Sequence, residues 1–210
     1  MINVCVPVLK RYDLLRELLA SLAESLIEPS AVYVIDNGLN EAAVKRATDG
    51  FLFPIVIHTP EANLGVAASW NWFIENASEE RVICNDDVTF APDSLEKLIA
   101  PSADIIWAKG CGFSCFVLRD GCVEKLGVFD ETISPGYGYY EDDDYLMRLD
   151  GRGTRPPKAR AAEADCGVAH AKSQTLAART PEEMEEHHRL FWIAQTNYVN
   201  KWGLQREFSR

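Results

Sequence analysis

Short runs of apolar, mostly β-branched residues alternate with helical patterns in the first 84 residues, and this alternation limits the possible folds more than any other feature. The apolar runs are Ile2–Val8, Ala31–Ile35, Pro54–His58 and Arg81–Cys84. The segments with helical spacing are Arg11–Leu26, Asn40–Thr48 and Leu64–Asn76. Strands that alternate with helices form βαβ units, so the sequence predicts an α/β fold with a mostly parallel sheet and helices on both faces.

The second half of the chain is less regular but contains further elements. The predicted strands are Asp104–Trp107, Phe113–Leu118 and, weakly, Cys166–Ala169; the predicted helices are Gly121–Gly127 and Tyr140–Leu149. Thr180 followed by Pro181 and Glu183 is a typical helix start, and that helix is predicted to run to about Lys201. No linker divides the 210 residues, which predicts a single domain, 1–210.

Composition narrows the classes of function. The net charge of −11 argues against a large nucleic-acid footprint, since such footprints need clustered Lys and Arg, and it suits carboxylates gathered around a divalent cation. No apolar run of about 18 residues is long enough to span a membrane, and no signal peptide begins the sequence, so we expect a cytoplasmic protein. The six cysteines need not form disulfides, and Cys111 and Cys115 lack the second pair typical of structural zinc sites.

Polar residues follow the predicted strands where a ligand would bind. In open α/β sheets, ligands lie beyond the carboxyl ends of the strands. The first strand ends near Pro7, the second at Asp36 and the fourth at Asn85-Asp86-Asp87. An acid after a second strand commonly accepts a hydrogen bond from a ribose or a base. Asp36 is equally typical of a turn, because Asp-Asn-Gly is a favoured turn sequence.

The pair Asp86-Asp87 indicates a metal site. Neighbouring carboxylates repel one another unless a cation or strong donors neutralise them. Carboxylate oxygens at a strand end suit Mg²⁺ or Mn²⁺ carrying substrate phosphates. The alternative is that these residues cap the helix that starts near Pro92, although Asp93 and Ser94 lie closer to it.

A second acidic cluster, Glu141-Asp142-Asp143-Asp144, begins a predicted helix. Most such clusters are solvated helix faces. Here a segment rich in glycine and tyrosine, 137–140, precedes the acids, as in a loop that lines a ligand. A helix N-terminus also keeps carboxylates ionised, and an ionised carboxylate near a hydroxyl can act as a general base.

Six motifs together resemble one known family. They are the Val6-Pro7-Val8 strand, Val34-Ile35-Asp36-Asn37-Gly38, Asn63-Leu64-Gly65 with Asn71, Asn85-Asp86-Asp87-Val88, Leu126–Glu131 and Tyr140–Leu149. In this order, from about Asn3 to His170, the chain resembles the family 2 inverting glycosyltransferases of the GT-A fold, especially small bacterial and phage-type members close to rhamnosyltransferases. The resemblance implies a Rossmann-like nucleotide-binding half, 1–90, and an acceptor half, 91–210, that ends in a helix.

The resemblance also implies roles for individual residues. Asp87 and His170 would bind Mn²⁺ or Mg²⁺, and Asp142 would be the general base, with Asp144 and Arg148 structural. The residues implied in binding the nucleotide sugar are Pro7, Val8, Arg11, Asp36, Asn63, Gly65, Asn71, Asn85 and Asp86. Asn85 departs from the family's DXD motif, in which an acid often stands first. The donor would be a nucleoside-diphosphate sugar, and the acceptor a saccharide, a lipid-linked or another hydroxyl.

Other interpretations stay open at this point. A phage-type enzyme could glycosylate modified DNA bases through a local basic groove around Arg152, Arg155, Lys158 and Arg160. A non-catalytic nucleotide- or carbohydrate-binding homologue would be expected to lose Asp87 or Asp142, and both are present. The Gly-rich stretch 151–158 resembles a nucleotidyltransferase loop but lies about 150 residues too late. His187-His188 with Glu183 and Glu186 has metal-ligand spacing, and we interpret it as a solvated, charged helix face.

Overall fold

The computed structural model describes residues 1–77, 80–136, 138–152, 159–171 and 174–204, with only the backbone of residues 175 and 176. The strands are β1 (Ile2–Val8), β2 (Ala31–Asp36), β3 (Ile55–His58), β4 (Glu80–Cys84), β5 (Val88–Thr89), β6 (Ile105–Ala108), β7 (Cys115–Arg119), β8 (Ala161–Ala164) and β9 (Ala169–His170). The α-helices are α1 (Tyr12–Ala23), α2 (Glu41–Thr48), α3 (Gly65–Asn76), α4 (Ser94–Ile99), α5 (Asp120–Leu126), α6 (Glu141–Leu149), α7 (Gln174–Ala177) and α8 (Pro181–Trp202).

Seven strands form one sheet in the order β3-β2-β1-β4-β7-β6-β8. All neighbouring pairs are parallel except those of β7, which runs antiparallel to both β4 and β6. The prediction of an α/β fold with a mostly parallel sheet is therefore confirmed. Strand β5 follows Asn85-Asp86-Asp87, and strand β9 ends at His170. These two strands pair antiparallel in a separate two-stranded sheet.

A hydrophobic core covers each face of the large sheet. Along β1, Val4 and Val6 belong to the core shared with α1, α2 and α4, whereas Cys5 belongs to the core shared with α3, α5 and α6. This alternation follows from the two-residue period of a strand. Aromatic rings dominate the second core, where Trp70 packs against Phe116 and Phe129.

The predicted elements of the first half match the structure closely; of three departures along the chain, the first two have physical reasons. Helix α1 ends at Ala23, not Leu26, because the Leu26 N–H leaves the helix to donate to the Pro92 carbonyl (2.7 Å). Strand β8 was not predicted, since its Ala-Ala-Glu-Ala sequence lacks the β-branched residues typical of strands. The strand predicted at Cys166–Ala169 is only the two-residue β9.

The six cysteines are free thiols, and five of them are buried. Within the described ranges, no helix has both the length and the apolar composition needed to cross a membrane. The capping box predicted at Thr180 is present: its hydroxyl accepts from the Glu183 N–H, and the Glu183 carboxylate accepts from the Thr180 N–H.

Candidate active site

A cavity of about 640 Å³ lies beyond the carboxyl ends of β1 and β4. It is lined by many of the residues singled out from the sequence: Pro7, Val8, Asn63, Gly65, Asn85, Asp86, Asp87, Asp142 and His170. Arg11, Asp36 and Asn71 are not among the lining residues. The fold thus brings most of the predicted site residues, from distant parts of the sequence, to one cavity.

The small sheet of β5 and β9 brings His170 to Asp87. Val88 pairs with His170, and the Ala171 N–H donates to the Asp87 carbonyl (3.0 Å). As a result, Nε2 of His170 lies 3.0 Å from Oδ1 of Asp87. Asp87 and His170 are more than eighty residues apart in sequence, and this strand pair is the local reason that they meet.

These two side chains fit a divalent cation. Oδ1 of Asp87 is buried and lacks a hydrogen bond of good geometry, although Nε2 of His170 is close to it. A buried carboxylate oxygen and an imidazole nitrogen that lie 3.0 Å apart are suitable ligands for one ion. The described residues contain no cluster of three or more such side chains. An ion held here would therefore take its remaining ligands from substrate oxygens and water, as Mg²⁺ commonly does.

Asp86 is buried beside Asp87 at the same strand end. Burial, followed by the neighbouring Asp87 carboxylate, raises the pKa of Asp86 to about 7, and the positive charge of Arg11 opposes only part of that rise. The cavity floor therefore holds two carboxyl groups whose negative charges disfavour one another.

Asp36 is buried and does not line the cavity. It is fully buried; the Tyr12 hydroxyl donates to its Oδ1 (2.5 Å), and its Oδ2 is buried without a hydrogen bond. Its neighbour Asn37 lines the cavity instead and accepts from the Leu64 N–H (3.0 Å). The turn sequence Asp36-Asn37-Gly38 suggested Asp36 as a binding residue, but it did not indicate that Asn37 would line the cavity.

Asn71 and Arg11 point elsewhere. The Asn71 amide bonds both backbone groups of Phe129, accepting from its N–H and donating to its carbonyl, each at 2.9 Å. Arg11 donates to Asp13 and to Gln174. In this structure Asn71 therefore joins α3 to the loop at Phe129, and Arg11 joins the start of α1 to α7.

Helix α6 gives its four acids four different surroundings. Glu141 is buried and, like the partly buried Asp142, lines the cavity, whereas Asp143 is exposed. Asp144 is fully buried and accepts from Nε1 of Trp202 (2.9 Å) beside the cations of Lys201 and Arg148. Burial raises the pKa of Glu141 to about 8 and raises that of Asp142 as well. Two neighbouring carboxyl groups of the cavity can thus differ in protonation near neutral pH.

The C-terminal helix also contributes to the cavity, which the sequence interpretation missed. His187 is buried and lines the cavity with Arg179 and Tyr139. The interpretation of His187 as part of a solvated helix face is therefore wrong, because Tyr139 and Arg179 cover it. The charged pattern at Glu182–Glu186 concealed the fact that one turn of this helix faces inward.

Two residues of the proposed basic groove, Arg155 and Lys158, lie outside the described residues, as do Tyr137 and most of the Gly-rich stretch. Of the groove's other residues, Arg160 has an exposed side chain whose Nε is 3.9 Å from Asp104. Arg152 is exposed as well, so among the described residues two of the groove's four cations are at the surface, and one of them, Arg160, lies near an acid.

Residues 3–105 match the sequence model of the family described as Glycosyl transferase family 2. Comparison by sequence with functionally curated proteins gives no match. Several solved structures share the fold.

One of them is the mannosyltransferase PcManGT from Pyrobaculum calidifontis, in complex with GDP-Man and Mn²⁺: 16% identity, TM-score 0.63, covering 98% of this chain and 76% of that one. Another is glucosyl-3-phosphoglycerate synthase from Mycobacterium tuberculosis, in complex with phosphoglyceric acid: 13% identity, TM-score 0.62, covering 99% and 81%. A third is S. aureus TarS 1–349: 17% identity, TM-score 0.58, covering 95% and 65%. At these identities the likeness shows the fold alone, and it is the GT-A fold.

Proposed function

Because residues 3–105 of this chain belong to glycosyl transferase family 2, we propose that the protein is a metal-dependent, inverting enzyme. It moves a sugar from a nucleoside-diphosphate sugar to an acceptor hydroxyl. The observation that carries this proposal is the shared cavity: the Asp87–His170 pair and the Asp142 carboxylate line the same 640 Å³ space. Such a space suits a ligand of nucleotide-sugar size, since ligand sites commonly measure about 300–1,000 Å³.

The donor site is the part of the cavity next to β1 and β4. Pro7, Val8 and Asn37 supply its wall, and Asn63 fixes the turn into α3 by accepting from the Gly65 N–H (2.9 Å). Gly65 adopts φ +75°, and a Cβ there would lie 1.5 Å from the Gly136 carbonyl oxygen, so a side chain would push the two walls apart. The GT-A mannosyltransferase solved with GDP-Man and Mn²⁺ supports a nucleotide sugar as the ligand.

Asp87 and His170 would hold the cation. When bound, a divalent ion acts as a Lewis acid that neutralises charge on the diphosphate. The protein's own contribution is to hold Oδ1 of Asp87 and Nε2 of His170 3.0 Å apart, close enough for both to bind one ion.

Asp142 would be the general base. It takes the proton of the acceptor hydroxyl while the oxygen forms its bond to the anomeric carbon and the bond to the diphosphate oxygen breaks. Because a single displacement needs no covalent sugar–enzyme intermediate, the configuration inverts. The raised pKa of Asp142 favours this role, since a stronger base accepts the proton more readily. Burial raises the pKa of Glu141 to about 8, and its buried Oε2 has no hydrogen bond, so the protonated acid would be able to donate to a bound substrate.

Calorimetry with nucleoside diphosphates tests the metal assignment. We expect GDP or UDP to bind the parent protein more tightly with MnCl₂ than without it. Asp87→Asn should abolish this manganese dependence and lower turnover, measured as release of nucleoside diphosphate from a panel of nucleotide sugars. His170→Ala should reduce it less, because one carboxylate ligand remains. Asp93→Asn is the matched control, as this half-exposed acid forms an ion pair with Lys97 and does not line the cavity.

The results separate the parts of the proposal. If the parent binds neither diphosphate at any metal concentration, the donor assignment is wrong. If Asp87→Asn binds manganese and nucleotide as the parent does, the metal assignment is wrong while the donor assignment stands. Unchanged manganese dependence in His170→Ala would make His170 a structural residue.

A further inference from the structure

One positively charged side chain lines the cavity among the residues that the structure describes. It is Arg179, and the cavity's acids are Asp86, Asp87, Glu141 and Asp142. Arg179 comes after His170 in sequence and just before α8, a region to which the sequence motifs assign no binding role. Which ligand the Arg179 guanidinium can bind depends on the residues that hold its side chain in the cavity.

His187 holds Arg179, and Tyr139 holds His187. A guanidinium nitrogen of Arg179 contacts Nδ1 of His187, and Nε2 of His187 lies 2.8 Å from the Tyr139 hydroxyl. A guanidinium can only donate, so Nδ1 is the acceptor and the ring proton is on Nε2, which donates to Tyr139. Burial, followed by the charge of Arg179, lowers the pKa of His187 and favours this neutral form.

The segment around Arg179 is anchored on both sides to the loop that follows β1. Before it, Arg11 donates to Oε1 of Gln174 (3.3 Å); after it, Nζ of Lys10 forms an ion pair with Glu183 (2.5 Å). The capping box of Thr180 then sets the direction of α8. Leu9 of that loop and the last two residues of β1, Pro7 and Val8, line the cavity. Arg179 is thereby fixed at the β1 side, where the donor site lies.

We propose that Arg179 binds the diphosphate of the donor and stabilises it as the leaving group, with His187 and Tyr139 as positioning residues. This inference rests on the proposed glycosyl transfer. When the bond from the anomeric carbon to the diphosphate oxygen breaks, the diphosphate gains negative charge. A planar guanidinium matches phosphate oxygens with two parallel hydrogen bonds, which an ammonium cannot do. The neutral ring of His187 orients it without competing for the phosphate.

Nucleotide binding to Arg179→Gln tests the proposal. In the presence of MnCl₂, we expect its affinity for GDP or UDP to fall about 10- to 100-fold, as for the loss of a hydrogen bond to a charged group. Its affinity for the bare nucleoside, followed by NMR titration, should stay within twofold. Arg189→Gln is the matched control, because Arg189 is an exposed arginine of α8 that pairs with Glu186. Circular dichroism melting verifies that each variant is folded.

Each outcome decides something different. A parent that binds no nucleoside diphosphate would refute the proposed function itself. A parent that binds, with Arg179→Gln equal to it, would refute the role of Arg179 alone. The role would also be refuted if Arg179→Gln raised only the KM of the acceptor, since Arg179 would then contact an anionic acceptor group.

A double-mutant cycle tests the positioning residues. His187→Gln and Tyr139→Phe should each weaken diphosphate binding about 3- to 10-fold, less than Arg179→Gln, because they disturb the orientation of the cation rather than its charge. Combined with Arg179→Gln, neither should weaken binding further. Losses that multiply in the double variants would show that His187 and Tyr139 act independently of Arg179, which contradicts the proposal.

Discussion

The four acids at the start of α6 all carry a carboxyl group, but they differ in burial and in contacts. These differences determine what each carboxyl group can do. Asp142→Asn should lose about 10²–10⁴ in turnover, because the amide cannot accept the acceptor's proton. Glu141→Gln should retain most of the activity, since a glutamine amide can donate as the protonated acid does. Asp143→Asn should be nearly silent because Asp143 is exposed. The measurement is single-turnover rate at saturating donor.

The pH dependence and donor binding of these variants complete the comparison. In the parent, turnover should rise with pH through a pKa above 3.8, the usual value for aspartate, because burial raises the pKa of Asp142. Donor affinity should be unchanged in Asp142→Asn, as its carboxylate acts on the acceptor. Near-parental turnover in Asp142→Asn with loss of activity in Glu141→Gln would instead make Glu141 the base.

Sequence motifs predicted which polar residues cluster but not which of them face the cavity. Asp86, Asp87 and Asp142 line it as expected. Asp36 is covered by Tyr12, and Asn71 is engaged with Phe129; both contacts join residues distant in sequence that no local pattern encodes. For the same reason, the sequence did not predict that the turn of α8 at His187 faces the cavity. His187 is buried by its contacts with Tyr139 and Arg179.

At the scale of secondary-structure elements, Asp144 connects α6 to the end of α8. Its side chain is fully buried and contacts Trp202, Lys201 and Arg148. We expect Asp144→Asn to lower the free energy of unfolding by about 3 kcal/mol, because the mostly buried Arg148 cation loses a carboxylate partner, whereas Lys201 keeps its ion pair with Asp130. This is the lower end of the usual range, since the Lys201 side chain is about a third exposed. Chemical denaturation measures the change.

Asp143→Asn is the matched control for this prediction. As an exposed residue on the same turn, it should change the free energy of unfolding by no more than about 0.5 kcal/mol. Asp144→Asn should still bind nucleoside diphosphate, because Asp144 does not line the cavity. Equal stability of the two variants would mean that Asp144 does not hold the helices together.

Elements were predictable where one local signal sufficed. The hydrophobic period identified β1 to β4 and α1 to α3, and the capping box identified the start of α8. Strand β8 was missed because its alanine-rich sequence becomes a strand only through pairing with β6, a tertiary effect that overrides propensity. The β5–β9 pair, which brings His170 to Asp87, is likewise too short to leave a pattern in the sequence.

At the scale of the whole molecule, the two halves predicted from the sequence share one sheet. Strand β7, from the second half, lies between β4 of the first half and β6, and Phe116 and Phe129 pack on Trp70 of α3. The cavity draws residues from both halves as well: Pro7 and Asp87 come from the first half of the sequence, and Asp142 and His170 from the second. Donor and acceptor sites would therefore depend on a common core.

We therefore expect the protein to unfold in a single cooperative transition. Backbone circular dichroism and tryptophan fluorescence should give the same denaturation midpoint, since Trp70 and Trp72 lie in the first half and Trp107, Trp192 and Trp202 in the second. A fragment of residues 1–105, which contains the whole family match, should show no cooperative transition. It lacks β7, so β4 would become an unpaired edge and Trp70 would lose Phe116 and Phe129. Separate midpoints, or a fragment that unfolds cooperatively, would show that the first half folds on its own.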